Sequence, residues 1–284
     1  MHDVFYFTDI HGMYDLYRAI MNYCFTQDPE CTVIFGGDAI DRGPDGYKIM
    51  KELINHPQVI YLKGNHEDMF VQAADRIHKD YRGLPNLDEI ENYLYNSMYD
   101  DSIINLSIQN GGFVTLRDWM LDGASMAFVD KVRNLPLTTQ YQKLDFCHAG
   151  GNPLNYMTTA MSEQEHAPYV DEDVTMMLWD RNWLGFGWIP GKTLVYGHTP
   201  SFNLPAKYYG QDKSTFHAHP CKYIGMIDSR LTGYRISMDT GAAISGRAYV
   251  LNCNTMQAIG FRDMDFLDDT NPNHEIEQIE IIQL

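Results

Sequence analysis

Five short apolar runs along the chain are each followed at once by glycine and polar residues. The runs occupy positions 4–7, 32–35, 59–62, 144–147 and 193–196. Their Val, Ile, Tyr and Phe content is typical of strands that are buried on both faces. In α/β sheets, ligand sites form in the crevice beyond the carboxyl ends of the strands. We therefore expect the polar residues after these five runs to meet at one site.

The segments between the first three runs have the spacing of amphipathic helices. After the first run, one apolar helical face is formed by Met13, Leu16, Tyr17, Ile20, Met21 and Cys24. A second helix is predicted to begin near Pro44, and a third to extend from Glu67 to about His78. Strand, helix and strand in succession predict right-handed parallel crossover units.

The rest of the chain follows two other patterns. Residues 80–140 contain short helical patterns broken by glycine and proline, which predict an inserted, mainly helical layer. This insertion either shapes a substrate cleft or only packs against the sheet. Beyond residue 225 the pattern alternates as in antiparallel strands, at 234–238, 247–251, 257–261 and 277–282. We expect a single domain over residues 1–284, because no linker divides the chain.

Composition limits the classes of partner. The chain has 284 residues, of which 44% are hydrophobic, and a formal net charge of -17. Such an acidic protein lacks the basic face that binding to a nucleic acid backbone requires. Five cysteines, none spaced as C-x-x-C, predict reduced thiols rather than disulfides or a zinc knuckle. We see no leader segment or membrane span, and therefore expect a cytoplasmic protein without a nucleic acid or membrane partner.

The polar residues that follow the apolar runs are typical metal ligands. Asp9 and His11 lie two positions apart on an extended chain, so both side chains can bind one ion. Asp38 can bridge two ions that lie about 3.5 to 4 Å apart. A second ion would be completed by Asn65, His148 and His198. Oxygen and imidazole ligands together favour Mn, Fe, Zn or Co over calcium. Taken singly, each residue could instead cap a turn, but the six together favour a metal centre.

These segments resemble the calcineurin-like metallophosphoesterase superfamily, and within it the phosphoprotein phosphatase family in its bacterial and bacteriophage form. The motif G-D-x-H-G is present as T-D-I-H-G at 8–12 and departs only at its first position. The motifs G-D-x-x-D-R-G and G-N-H-E are complete at 37–43 and 64–67. His148 and His198 fall in the later histidine motifs. The resemblance implies an α/β fold: a layered β-sheet sandwich flanked by helices, in four layers (αββα).

The resemblance also implies roles for individual residues. One metal would be held by Asp9, His11 and Asp38, and the other by Asp38, Asn65, His148 and His198. A hydroxide that bridges two divalent ions, for which manganese is favoured, would be the nucleophile. His66 would be the general acid, and Asp41 would hold it in the imidazolium form. Arg42 and Arg181 would grip the phosphate oxygens.

Three further segments are also similar to those of bacterial members of the family, although they are less specific. They are Asn110-Gly111-Gly112 with Thr115, Leu178-Trp179-Asp180-Arg181 and Met238-Asp239-Thr240-Gly241-Ala242. Asp239 either supports a ligand histidine or caps a turn. The aromatic residues around Trp183 either pack in the core or form a wall for substrate stacking. We assign no role to His166, His217 and His219.

The implied activity is that of a serine/threonine protein phosphatase, a metal-dependent phosphomonoesterase. One alternative within the family is a hydrolase of dinucleoside tetraphosphates. Glu67 favours the phosphatase, because nucleotide-cleaving relatives often carry Asp at that position. The other alternative is a catalytically inactive scaffold that binds phosphoproteins. It is disfavoured because none of the metal ligands, nor the acid His66, is missing.

Overall fold

The protein is built around two β-sheets that pack face to face. The computed structural model describes residues 2–80, 83, 86–153, 171–205, 218–224, 229–266 and 274–284. The strands are β1 (Val4–Phe7), β2 (Thr32–Phe35), β3 (Val59–Tyr61), β4 (Thr138–Tyr141), β5 (Leu144–Cys147), β6 (Thr193–Tyr196), β7 (Cys221–Tyr223), β8 (Tyr234–Ser237), β9 (Arg247–Asn252), β10 (Gln257–Asp263) and β11 (Ile276–Gln283). The first sheet has the order β11-β10-β9-β1-β2-β3, and the second has the order β4-β5-β6-β8-β7.

Helices cover the sheets and connect their strands. They are α1 (Tyr14–Gln27), α2 (Gly46–Asn55), α3 (Asn65–Asp80), α4 (Leu87–Asp100), α5 (Ser102–Ser107), α6 (Phe113–Leu121), α7 (Met126–Arg133), α8 (Asp171–Trp179) and α9 (Ala242–Ser245). A π-helical turn joins α5 to α6, and 3-10 turns follow α8 and β6. A two-sheet sandwich flanked by helices confirms the fold class predicted from the sequence.

Strand β1 shows why the sequence pattern is a continuous apolar run. Phe5 and Phe7 point into the core formed with the helices, whereas Val4 and Tyr6 point into the core between the two sheets. The Tyr6 ring stacks on Phe146 of the second sheet, with ring centroids 5.1 Å apart. Successive side chains in a strand face opposite sides, so a strand with a core on each side is apolar at every position.

Two of the predicted strands differ from expectation. β3 ends at Tyr61 rather than at position 62, and it forms the edge of its sheet, where Ile60 is 36% exposed. The antiparallel prediction holds for β9, β10 and β11 but only in part for β8. β8 pairs parallel with β6 in the second sheet and antiparallel only with β7. Alternation within a strand reports burial of one face and does not specify the direction of its neighbour.

The predicted helices are present, with shifted ends. α1 buries the predicted face except for Met13, which precedes the helix and is half-buried. α2 begins at Gly46, and α3 is longer than predicted at both ends. The insertion is mainly helical as predicted, and comprises α4 to α7. The sequence pattern missed β4 and β7, which are short strands at the two edges of the second sheet. In the described part of the chain, no helix is both long enough and apolar enough to cross a membrane.

Candidate metal centre

The predicted site residues converge where strands of both sheets end. Asp9 follows β1, Asp38 follows β2, His148 follows β5 and His198 follows β6, while Asn65 begins α3 directly after β3. All five side chains are buried. The packing of the two sheets therefore brings together residues that are up to 189 positions apart in sequence.

The first group of ligand atoms surrounds one oxygen of Asp38. His11 Nε2 lies 3.6 Å from Asp38 Oδ2. His11 Nδ1 donates to the carbonyl of Ile40 at 2.8 Å, which leaves Nε2 unprotonated and available to a cation. Asp9 is not one of the residues of this group; its carboxylate accepts from the Thr8 hydroxyl at 2.7 Å and from the backbone N–H of His198 at 3.0 Å. His11, Asp38 and His66 each offer one atom to a set that lies within 4.8 Å.

The second group of ligand atoms surrounds the other oxygen of Asp38. His148 Nε2 lies 3.4 Å from Asp38 Oδ1 and 3.0 Å from Asn65 Oδ1. His198 Nδ1 lies 2.8 Å from the same Asn65 oxygen. His148 Nδ1 faces the carbonyl of Gly36 at 2.9 Å, an arrangement that orients Nε2 toward the centre. Asp38 therefore directs one oxygen into each group.

The chemistry of these donors fits divalent cations. Burial raises the pKa of Asp9 to about 7, and the charge of Asp38 contributes to the rise although His148 opposes it. Two buried carboxylates so close together repel each other unless a positive charge compensates them. Oxygen atoms from Asp and Asn, together with imidazole nitrogens, are ligands that transition metals accept. The described residues thus include groups that can hold a metal ion on each side of Asp38.

The backbone around the site is strained. In the described part of the chain, nine residues other than glycine have positive φ, and six of these are Asp9, His11, Asp38, Asp41, Arg42 and His198. A residue with a β carbon in this region costs about 1–3 kcal/mol, so such strain persists only where the surrounding structure imposes it. Its concentration at the predicted site residues is typical of functional loops.

Glu67 is an organising residue whose role sequence reasoning missed. Its buried carboxylate accepts hydrogen bonds from the backbone N–H groups of Asp38, Ala39 and Gly64 at 2.8 to 2.9 Å. The Tyr61 hydroxyl donates a fourth hydrogen bond at 2.7 Å. Glu67 therefore ties the loop after β2 to the start of α3. Its place within a G-N-H-E motif was the one available signal, but the motif alone does not show which way the side chain points.

His66 lies between a carboxylate and a guanidinium. Its Nδ1 is 2.7 Å from Asp41 Oδ2, and its Nε2 is 3.1 Å from a terminal nitrogen of Arg42. Burial opposes the charged imidazolium, but Asp38 and Asp41 outweigh this effect and raise the pKa of His66. The structure therefore brings together the three residues predicted to act as acid, orienting carboxylate and phosphate ligand.

The helical insertion supports this acid group. The Thr115 hydroxyl donates to Asp41 Oδ1 at 2.7 Å and accepts from the Asp41 backbone N–H at 3.2 Å. The Arg42 N–H donates to the carbonyl of Gly111 at 3.1 Å. A β carbon at Gly111, whose φ is +97°, would lie 2.7 Å from the Arg42 nitrogen, so only glycine permits this approach. The insertion thus supports the loop that carries Asp41 and Arg42.

Arg181 and Trp179 lie near the rim of the centre, whereas Asp239 is buried, and burial together with the charge of Asp9 raises its pKa. Arg181 is exposed, and burial together with the charges of His148 and Arg181 lowers the pKa of His198 to about 3. The ring of Trp179, which is 37% exposed, lies 6.2 Å from the His198 ring. Asp239 Oδ1 accepts from the Gly241 N–H at 2.8 Å, a contact that caps a turn. Trp183 and Phe186 pack on each other, with centroids 4.5 Å apart.

Of the three histidines without an assigned role, the structure describes only His219, which lies away from the site. His219 contacts the Tyr249 hydroxyl at 2.9 Å and Glu280 at 3.1 Å, on the face of the first sheet. His166 and His217 lie outside the described residues.

Comparison with known proteins identifies the family. A segment of 67 residues is 37% identical to serine/threonine-protein phosphatase 2 of Escherichia coli (strain K12), and covers 24% of this chain and 30% of that protein. A segment of 65 residues is 28% identical to the symmetrical bis(5'-nucleosyl)-tetraphosphatase of Buchnera aphidicola subsp. Schizaphis graminum (strain Sg), and covers 22% of this chain and 24% of that protein. Each match spans less than a third of the relative.

The chain is also similar to a solved structure, the cold-active protein-tyrosine phosphatase of a psychrophilic Shewanella species. The TM-score is 0.47 at 15% identity, and the alignment covers 98% of this chain and 81% of that chain. A family match extends over residues 3–215, a range that contains every predicted metal ligand, His66, Asp41 and both arginines. The chain therefore belongs to the calcineurin-like phosphoesterase family.

Proposed function

We propose that the protein is a serine/threonine protein phosphatase that hydrolyses phosphomonoesters at a dinuclear metal centre. The observation that carries this proposal is the position of Asp38, whose two oxygens face separate groups of ligand atoms, at 3.6 Å from His11 and 3.4 Å from His148. A carboxylate shared by two ions is a common arrangement in enzymes that displace groups at phosphorus.

The family motifs, together with these ligand groups, support an assignment of residues to the two ions. Asp9, His11 and Asp38 would hold one ion, and Asp38, Asn65, His148 and His198 would hold the other. Bound divalent ions, for which we favour manganese, would supply Lewis acid activation of the phosphoryl group and of a water molecule. Burial of the ligands excludes bulk water from the centre, which strengthens every charge interaction within it.

His66 is the proton donor in this proposal. The contact between its Nδ1 and Asp41 leaves Nε2 as the nitrogen that faces the site. In the structure a terminal nitrogen of Arg42 lies 3.1 Å from Nε2. When the Arg42 guanidinium turns to a phosphate oxygen, the Nε2 proton of the imidazolium can be delivered to the leaving alkoxide.

Arg42 and Arg181 complete the proposal as phosphate ligands. Arg42 is already next to the acid, while Arg181 is exposed and has no hydrogen bond to the described residues. A guanidinium without a hydrogen bond to the described residues can turn its planar fork of donors to two phosphate oxygens. Both residues therefore bind and orient the phosphoryl group in this account.

The choice between phosphoprotein and dinucleotide rests on similarity rather than on the metal groups. The segment similar to serine/threonine-protein phosphatase 2 has the higher identity, 37% against 28% for the tetraphosphatase. Glu67 is fully buried and binds backbone N–H groups, so it does not contact a substrate directly. We retain the dinucleoside tetraphosphate hydrolase as the second candidate, because one matched relative has that activity in its name.

A substrate panel distinguishes these functions. With saturating Mn²⁺, we expect kcat/KM for a phosphoserine or phosphothreonine peptide to exceed that for diadenosine tetraphosphate, with p-nitrophenyl phosphate as a reference for general phosphomonoesterase activity. A preference of tenfold or more for the dinucleotide, about 1.4 kcal/mol in transition-state free energy, would assign the protein to the second candidate. Absence of turnover on all three, with metal bound, would favour the inactive scaffold.

A further inference from the structure

A buried arginine outside the predicted site is only partly hydrogen-bonded. Arg235 lies on β8, and its side chain is 0% exposed. Its two terminal nitrogens have no hydrogen-bond partner in the part of the chain that the structure describes. Burial of a charge is unfavourable unless the charge is well paired, and an apolar residue at this position would avoid the loss of hydration. The charge therefore calls for a functional explanation.

Arg235 contacts Phe186 and Trp188, at the C-terminal end of the segment 180–188 that carries Arg181. Its Nε donates to the carbonyl of Phe186 at 2.8 Å, and its guanidinium carbon lies 5.2 Å from the centre of the Trp188 ring. Trp188 is itself fixed, because its indole N–H donates to Asp145 at 2.8 Å and its backbone N–H donates to the carbonyl of Gly233 at 2.8 Å. This end of the segment is therefore anchored to the second sheet through Arg235 and Trp188.

Arg235 also lies near Asp180, at the N-terminal end of the segment 180–188. A β carbon at Gly150 would lie 3.6 Å from a terminal nitrogen of Arg235 and 3.9 Å from Asp180 Oδ2. The guanidinium of Arg235 and the carboxylate of Asp180 thus both lie next to Gly150, which is two residues after the predicted metal ligand His148. Asp180 in turn accepts from the backbone N–H groups of Asn182 and Trp183 at 2.9 and 3.0 Å. These bonds fix the turn that contains Arg181.

We propose that Arg235 is a positioning residue that holds the segment 180–188, and thereby keeps the Arg181 guanidinium at the rim of the metal centre. The proposal rests on the proposed function, in which Arg181 binds the phosphoryl group. An exposed arginine on an unsupported turn would lose rotational freedom when it binds phosphate. A turn that Asp180 fixes at one end and Arg235 anchors at the other reduces that loss, because the backbone of Arg181 is already in place.

A double-mutant cycle tests the connection. The variants are Arg235→Met, Arg181→Ala and the double variant, with Arg262→Met as a matched control, since Arg262 is an exposed arginine on a strand. With p-nitrophenyl phosphate and saturating Mn²⁺, Arg235→Met should lower kcat/KM about tenfold, but less than about twofold once Arg181 is alanine. Equal losses in both backgrounds, or no loss in the first, would overturn the proposal.

Two further measurements separate anchoring from folding and from the proposed function. Arg235→Lys keeps the charge but loses the planar fork, so its loss should be intermediate; it replaces the methionine variant in the cycle if that variant does not fold. Hydrogen exchange should become faster at the amides of 180–188 in Arg235→Met, and stay unchanged in Asn65–Asp80. If the wild-type protein hydrolyses no phosphomonoester, the proposed function fails, and unchanged exchange at 180–188 would separately refute the anchoring.

Discussion

Replacement of Asp38 by asparagine is expected to remove bound metal from both halves of the centre and to abolish most turnover. Asp38 is the residue whose two oxygens face His11 on one side and His148 on the other. Asparagine keeps the shape but has one neutral oxygen, so it cannot compensate or bridge two cations. Loss of a residue that only hydrogen-bonds to a metal ligand typically lowers metal affinity or activity by about 10–100-fold. Loss of the shared ligand itself should have a larger effect.

Metal content by elemental analysis and turnover with Mn²⁺ measure this effect. Asp130→Asn is the matched control, because Asp130 is exposed on α7 and its partner is Arg133 rather than a metal ligand. The control should retain metal and rate. An Asp38→Asn protein with two ions per chain and a near-normal rate would contradict the assignment of Asp38 as the shared ligand.

Replacement of His66 by asparagine is expected to impair chemistry while the metals stay bound. The metal groups retain Asn65, His148 and His198, whereas the residue that donates a proton is lost. The rate for an alkyl phosphate, whose leaving group needs a proton, should fall by about 10²–10⁴-fold, as is typical when a general acid is removed. An aryl phosphate forms a more stable leaving group, so its rate should fall much less.

The comparison of two leaving groups makes this test specific. His78→Asn is a suitable control, because His78 is exposed on the same helix, α3. Metal content should equal that of the wild-type protein in both variants. If alkyl and aryl phosphates lose the same factor in His66→Asn, the residue does not protonate the leaving group. Loss of metal in that variant would instead place His66 among the ligands, since its ring nitrogen lies 3.8 Å from Asp38.

Much of this centre follows from the sequence because its residues occupy strand ends. The apolar runs before Asp9, Asp38, His148 and His198 all form strands. Because the two sheets pack together, the residues that follow these strands lie close to one another. The direction of β8 relative to its neighbour β6 could not be predicted in the same way. It depends on the long connection between β6 and β8, and connection length leaves both directions open.

Contacts made through the backbone were also hidden from the sequence. The hydrogen bonds of Glu67 go to three backbone N–H groups, and the support of Arg42 by Gly111 is a contact between two backbones. A pattern of side chains carries no record of such bonds. The buried charge of Arg235 was missed for a related reason, because a single arginine in a half-apolar strand is indistinguishable from an exposed one until the neighbouring layer is known.

The most direct test of the central claim is to locate the metal ions themselves. Anomalous scattering from crystals grown with Mn²⁺ would show the position of each ion. A dinuclear centre should give two peaks about 3.5–4 Å apart on either side of the Asp38 carboxylate, one next to His11 and the other next to Asn65, His148 and His198. A single peak, or peaks that do not contact Asp38, would contradict a dinuclear centre bridged by this residue.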